Sequence, residues 1–179
     1  MASGSSKSCR SGSRVTGPAI DQALIHFSVC GYNLRLTRLL TASTMTDFEL
    51  DQRLAADTLP VIELDLCSVR LMNDARYPWL VLVPRKPGMV EIFDLDDVDQ
   101  LELHAEIRRC AEALKALALP DKLNIANLGN QVSQLHIHII ARYRNDAAWP
   151  DPVWGKLPSL PHGDGAKEMI EALSARLKG

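Results

Sequence analysis

The chain has 179 residues, 46% of them hydrophobic and 23% charged, with a formal net charge of −2. That is the size and composition of one folded domain with an appendage, and it excludes a wholly disordered chain and a small disulfide scaffold. No stretch supplies the ~18 uninterrupted apolar residues of a spanning helix, and the near-neutral charge argues against a generic grip on nucleic acid or a membrane surface.

The charge is unevenly spread. Residues 1–44 carry a net +4 and the remainder a net −6. Residues 1–17 are rich in Ser, Gly and basic side chains, which predicts disorder. Met45 opens a sequence of different character, and we read 1–44 as a basic extension and 45–179 as the domain. Four cysteines, at 9, 30, 67 and 110, form no C-x-x-C pair. Cys67 and Cys110 occupy apolar positions and are expected to be buried free thiols, which suits a reducing cytoplasm.

In chain order, residues 47–56 predict a short helix capped by Asp47, with Phe48, Leu50 and Leu54 inward. Residues 61–72 read as one strand, 73–76 as a turn, and 79–83 as a second strand ending at Pro84, so a hairpin joins them. Asp94 is the expected cap of a long helix over about 95–118, with Asp97 in its first turn. Leu103, Ile107, Cys110, Leu114 and Leu117 form its buried face. Short strands follow at 123–127 and 135–143, then a loop at 147–155 with two prolines and two tryptophans, then a final helix at 164–178. Strands, one long helix and more strands indicate an α+β fold with an antiparallel sheet.

The informative segment runs from Gly129 to Ile140. Alternation along a strand puts Leu135, Ile137, Ile139 and Ala141 on an apolar face and Gln134, His136 and His138 on the other. Three readings are open. The two imidazoles could simply hydrogen-bond at a sheet surface. They could ligate zinc or iron, although the next histidine, His162, lies beyond a proline-rich loop. Or His136 could attack phosphorus as a nucleophile, with the turn Gly129-Asn130-Gln131-Val132-Ser133 donating to phosphate oxygens.

Gln134-Leu135-His136-Ile137-His138-Ile139-Ile140 resembles the signature strand of the histidine triad (HIT) family. The turn at 129–133, the hairpin residues Leu71-Met72-Asn73-Asp74 and Val81-Leu82-Val83-Pro84, and Phe93-Asp94-Leu95 before the helix extend the resemblance. It implies a half-barrel on a five-stranded antiparallel sheet with one long helix and short terminal helices, and a homodimer. It also implies a nucleotide hydrolase or nucleotidyl transferase acting at the α-phosphate. His136 maps to the nucleophile and His138 to a phosphate or leaving-group contact. Asn73 or Asp74 maps to the ribose or base, and Asn127, Gln131, Val132 and Ser133 to the phosphate. No metal is required for the covalent step, although Mg²⁺ can accompany a polyphosphate substrate.

Gln134 stands where the family has its first histidine. An amide cannot exchange a proton near neutrality, so nucleotide binding without turnover is an alternative. Of the remaining residues, His104 is expected to be solvated. Arg142 and Arg144 are expected at an exposed strand end, with contact to substrate phosphates as the alternative. The loop through Trp149 and Trp154 is expected to serve packing, with stacking on a nucleotide base as the alternative.

Overall fold

The structure, a computed structural model, describes residues 48–178. The expectations for residues 1–44 and for Asp47 lie outside the described residues. Five strands form one antiparallel sheet: β1 (Thr58–Glu63), β2 (Cys67–Met72), β3 (Trp79–Pro84), β4 (Lys122–Asn127) and β5 (Ile137–Arg142). The spatial order is β1-β2-β3-β5-β4, so the histidine strand β5 is interior, between β3 and β4. Helices α1 (Gln52–Asp57), α2 (Asp97–Ala118) and α3 (Ala166–Lys178) complete the α+β fold.

One face of the sheet holds the main core. Val69 and Leu71 of β2, Leu80 and Leu82 of β3, and Ile137, Ile139 and Ala141 of β5 meet Leu103, Cys110 and Leu114 of α2 and Leu173 and Leu177 of α3. The period-2 alternation of β5 is realised as expected. The spacing of 3 and 4 on α2 is too, with Ile107 and Leu117 at the margin. The opposite face carries Trp79, Val81, Val83 and Ile140, covered by Leu54 of α1 and by Ala148 and Val153 of the loop after β5.

Several boundaries differ from the sequence reading. The strand expected at 135–143 spans Ile137–Arg142, so His136 lies just ahead of it, and the last helix begins at Ala166. The run 61–72 is two strands, because the chain reverses at 64–66, where the Leu64 N–H donates to the Cys67 carbonyl at 2.9 Å. No Gly or Pro marks this turn. It is held instead by Glu106, a buried carboxylate on α2 that accepts the Leu66 and Cys67 N–H groups, each at 2.8 Å. Helix α1 begins at Gln52, capped by the Asp51 side chain on the Arg53 and Leu54 N–H groups. Helix α2 begins at Asp97 with Asp96 as its cap, whereas Asp94 closes a short 3-10 turn at Ile92–Asp94.

Arg142 corrects the expectation of an exposed strand end. It is 1% exposed and donates to both carboxylate oxygens of Asp146, at 2.8 and 3.0 Å, to Asn124 Oδ1 and to the Asp151 carbonyl. Arg144 is exposed, beside Asp121, and His104 is exposed on α2. Burial raises the thiol of Cys67, and raises that of Cys110 to about 12, so both stay protonated and inert.

Candidate active site

His136 and His138 lie on one wall of a cavity of about 630 Å³. Arg53, Leu54 and Asp57 of α1 form a second wall, and Asn73, Asp74 and Arg76 of the β2–β3 turn a third. Asn130, Gln131 and Val132 lie at the phosphate-suited turn, and Val153, Trp154 and Leu157 come from the loop after β5. The cavity is large enough for a nucleotide-sized ligand.

The hydrogen bonds assign the ring protons. His136 Nδ1 sits 2.7 Å from the Gln134 carbonyl oxygen. A carbonyl only accepts, so Nδ1 carries hydrogen, and in the neutral ring Nε2 holds the lone pair. His138 is the reverse. Trp79 Nε1 lies 3.0 Å from His138 Nδ1. An indole N–H only donates, so Nδ1 accepts and the proton of His138 resides on Nε2. Both rings are buried at 5% exposure, with centroids 4.8 Å apart and planes nearly perpendicular. Burial, and then the neighbouring His136, lower the pKa of His138 to about 3, so it is uncharged at neutral pH. Two adjacent imidazoles thus present opposite chemistry, a nucleophilic nitrogen and a neutral donor.

The sequence-derived site residues divide into two groups. Asn73, Asp74, Gln131, Val132, His136 and His138 line the cavity. Asn127, Ser133 and Gln134 do not. Asn127 donates from Nδ2 to the His136 carbonyl at 3.0 Å, fixing the strand from its β4 side. Ser133 and Gln134 border a separate shallow depression with residues 49–52 and 88–90.

The Gln134 amide is used at both ends. Oε1 accepts the Asp51 N–H at 2.9 Å and Nε2 donates to the Glu49 carbonyl at 2.8 Å. The contact from position 134 to the nucleophile is made by its backbone carbonyl, which every residue type provides. Replacing Gln134 with Ala is therefore expected to loosen residues 49–57. Hydrogen exchange of their amides should accelerate by about tenfold, roughly the loss of two net hydrogen bonds in a half-buried setting. The His136 tautomer, read by ¹⁵N NMR, should not change.

Asp74 is less available than its position suggests. Burial raises its pKa, but the hydrogen bonds from Arg76 and the Leu160 N–H outweigh burial and hold the carboxyl below the usual range. Asn73 Oδ1 accepts the His162 N–H at 3.0 Å, so the β2–β3 turn is stitched to 160–162.

In the sequence Trp79 is a strand residue without a motif, and the loop with Trp154 is open to base stacking or packing, with packing preferred. Trp154 does pack, but within the site, with its ring edge-on to His138 at 5.4 Å and to Trp79 at 5.8 Å. Arg53, Asp57 and Arg76 carried no motif. Their place at the cavity follows from α1 folding over the sheet, which local spacing does not reveal. Among the described residues, no three His, Cys, Asp or Glu side chains group as a metal site.

An open five-stranded antiparallel sheet, with an H-x-H strand interior to it and a polar turn leading in, defines a histidine triad architecture. The family model for the HIT domain matches residues 53–145. A histidine triad protein from Bradyrhizobium japonicum is 50% identical, over 73% of this chain and 98% of that one, with a TM-score of 0.72. One from Marinobacter aquaeolei is 44% identical over 74% and 97%, also at 0.72. A third, from Sinorhizobium meliloti, is 44% identical over 75% and 97%, at 0.69. No curated protein matches the chain significantly. The chain belongs to the HIT family, whose members bind nucleotides and generally hydrolyse or transfer them.

Proposed function

We propose that the protein is a nucleotide phosphohydrolase that cleaves at the α-phosphate through a covalent nucleotidyl-His136 intermediate. The reading is supported above all by the opposite proton positions of His136 and His138 on one cavity wall. In the first step His136 Nε2 bonds to the α-phosphorus, and the bond to the leaving group breaks with its electron pair. His138 Nε2–H and the turn around Asn130, Gln131 and Val132 receive the phosphoryl oxygens. Water then attacks the same phosphorus, the N–P electron pair returns to Nε2, and AMP or its analogue departs with release of a proton.

Asn73 is the better ribose contact through its amide nitrogen, since its Oδ1 holds the His162 N–H and Asp74 is engaged by Arg76. The leaving group is a second nucleotide, as in a dinucleoside polyphosphate, or an amine, as in a nucleoside phosphoramidate. The chemistry needs no resident metal, and Mg²⁺ would enter only as the counter-ion of a polyphosphate. The buried free thiols of Cys67 and Cys110 suit a cytoplasmic setting. No described helix is long and apolar enough to cross a membrane.

The test is release of AMP from a dinucleoside polyphosphate, an adenosine phosphoramidate and ADP, with acid-labile labelling of the protein by an α-labelled substrate. Release with labelling is expected. Nucleotide binding with neither would overturn the hydrolase reading in favour of a binding or sensing role.

We also propose a homodimer. Strand β4 is a sheet edge with Ile125 half exposed, and an unpaired edge invites a second copy. Light scattering at twice the chain mass is expected, and a monomer at micromolar concentration would exclude it.

A further inference from the structure

Trp79 is adjacent to neither histidine in sequence. The β3–β5 register pairs it with Ile140, which makes it the diagonal neighbour of His138 on the cavity face. Its indole N–H meets His138 Nδ1 at 3.0 Å, with ring centroids 5.3 Å apart. Protonating His138 at Nδ1 would set two donors against each other, so that bond disfavours the imidazolium. Trp154 closes on the same ring, which keeps it out of water.

The other charged groups on the cavity wall offer no replacement acid. Arg53 and Asp57 of α1 pair with each other at 3.7 Å. Asp74 and Arg76 of the β2–β3 turn pair with each other, and Asp74 stays ionised. His136, one residue before β5, is committed as nucleophile. Among the described residues lining the cavity, no side chain remains to hand a full proton to a departing atom.

We propose that Trp79 is a positioning and specificity-determining residue. It locks His138 in the uncharged Nε2–H form, so the site cleaves nucleotides whose leaving group departs as a stable anion. A phosphate, carboxylate, sulfate or acidic phenol meets that condition. An alkyl amine, whose nitrogen must be protonated before the P–N bond breaks, does not. In the favoured step the N–P bond forms and the P–O bond breaks with its electron pair on the leaving oxygen, and no proton moves. This narrows the hydrolase reading above and rests on it.

The experiment has two arms. In the first, ¹⁵N NMR follows the His138 ring of the full chain from pH 5 to 8. An Nε2–H ring that does not titrate is expected. A ring that titrates in that window, or carries its proton on Nδ1, overturns the proposal without any assay of turnover.

In the second arm, AMP esters of acidic phenols and AMP amides of alkyl amines are compared at pH 6. The wild type is expected to favour the esters by at least about 10²-fold in kcat/KM, the range a missing general acid accounts for. Trp79→Phe removes the donor, and Trp79→Gln places a carbonyl oxygen within reach of Nδ1–H. In Trp79→Gln the ester preference should shrink by about tenfold with KM little changed, while the ring shows an Nδ1–H population. An equal loss on both substrate classes would mean a merely structural Trp79 and overturn the proposal. If neither variant folds, the wild-type ring signals and the wild-type ester preference decide it. Absence of turnover with every substrate overturns the hydrolase reading and the leaving-group preference, while the ring signals still decide whether Trp79 locks His138.

Discussion

Replacing His136 with Ala is expected to abolish AMP release, with a loss of about 10⁴-fold or more in kcat. That corresponds to about 5–6 kcal/mol of transition-state stabilisation. The size follows from the role. Without Nε2 no covalent intermediate forms, and what remains is the binding and oxyanion stabilisation around the turn at 129–133. The fold should survive, because His136 faces the cavity and the core face of the strand is held by Leu135, Ile137 and Ile139. His138→Ala removes one neutral donor and is expected to cost less, about 10²–10³-fold. Steady-state kinetics with acid-labile labelling separates the two, since labelling disappears only in His136→Ala. Equal residual rates in His136→Ala and wild type would sink the nucleophile assignment.

Arg142→Met is expected to be the most damaging single change to stability, at about 3–5 kcal/mol. That is a large part of the ~5–15 kcal/mol typical of a whole domain. The reason is Asp146. Its side chain is 6% exposed and would be left charged and buried without its guanidinium. Arg142 also holds the Asp151 carbonyl, and lies over the rings of Tyr77 and Trp149 at 6.0 and 5.8 Å, so the loop leading to Trp154 would loosen with it. Adding Asp146→Asn removes the orphaned charge and keeps an acceptor for one of the two N–H groups, Tyr143 and Ala148, which meet different oxygens of Asp146. The double variant should therefore recover a substantial part of the loss, as a double-mutant cycle by urea unfolding would measure.

The same pair sets an acid limit. The Arg142 hydrogen bond, with help from the Tyr143 and Ala148 N–H groups, lowers the Asp146 pKa to about 2 from its ordinary 3.8. Between these values the unfolded chain binds more protons than the folded one. The stabilisation, about 2 kcal/mol, is complete above pH 4 and fades as pH falls towards 2. In Arg142→Met this acid-dependent contribution should be absent.

The chemistry of the site was legible because it is local. A strand alternates sides, so Leu135, Ile137 and Ile139 against His136 and His138 declare which face is core and which is polar before any partner is known. The helix at 97–118 was legible for the same reason, since Leu103, Cys110 and Leu114 repeat at helical spacing. The turn at 64–66 was not, because its backbone N–H groups are satisfied by Glu106, some 40 residues away.

What the amino-acid order determined alone is the pair of imidazoles, their shared face and the polar turn before them. What only the tertiary structure decided is how each is used. Strand register brought the Trp79 indole to His138 and so chose its tautomer. The segment before α1 drew the Gln134 side chain out of the site, leaving its carbonyl to orient His136. Arg142, polar and near a strand end, became buried because Asp146, Asn124 and the Asp151 carbonyl converge on it. In each case the deciding partner is a hydrogen-bonding group whose position depends on how the chain folds back, which periodicity and composition do not encode.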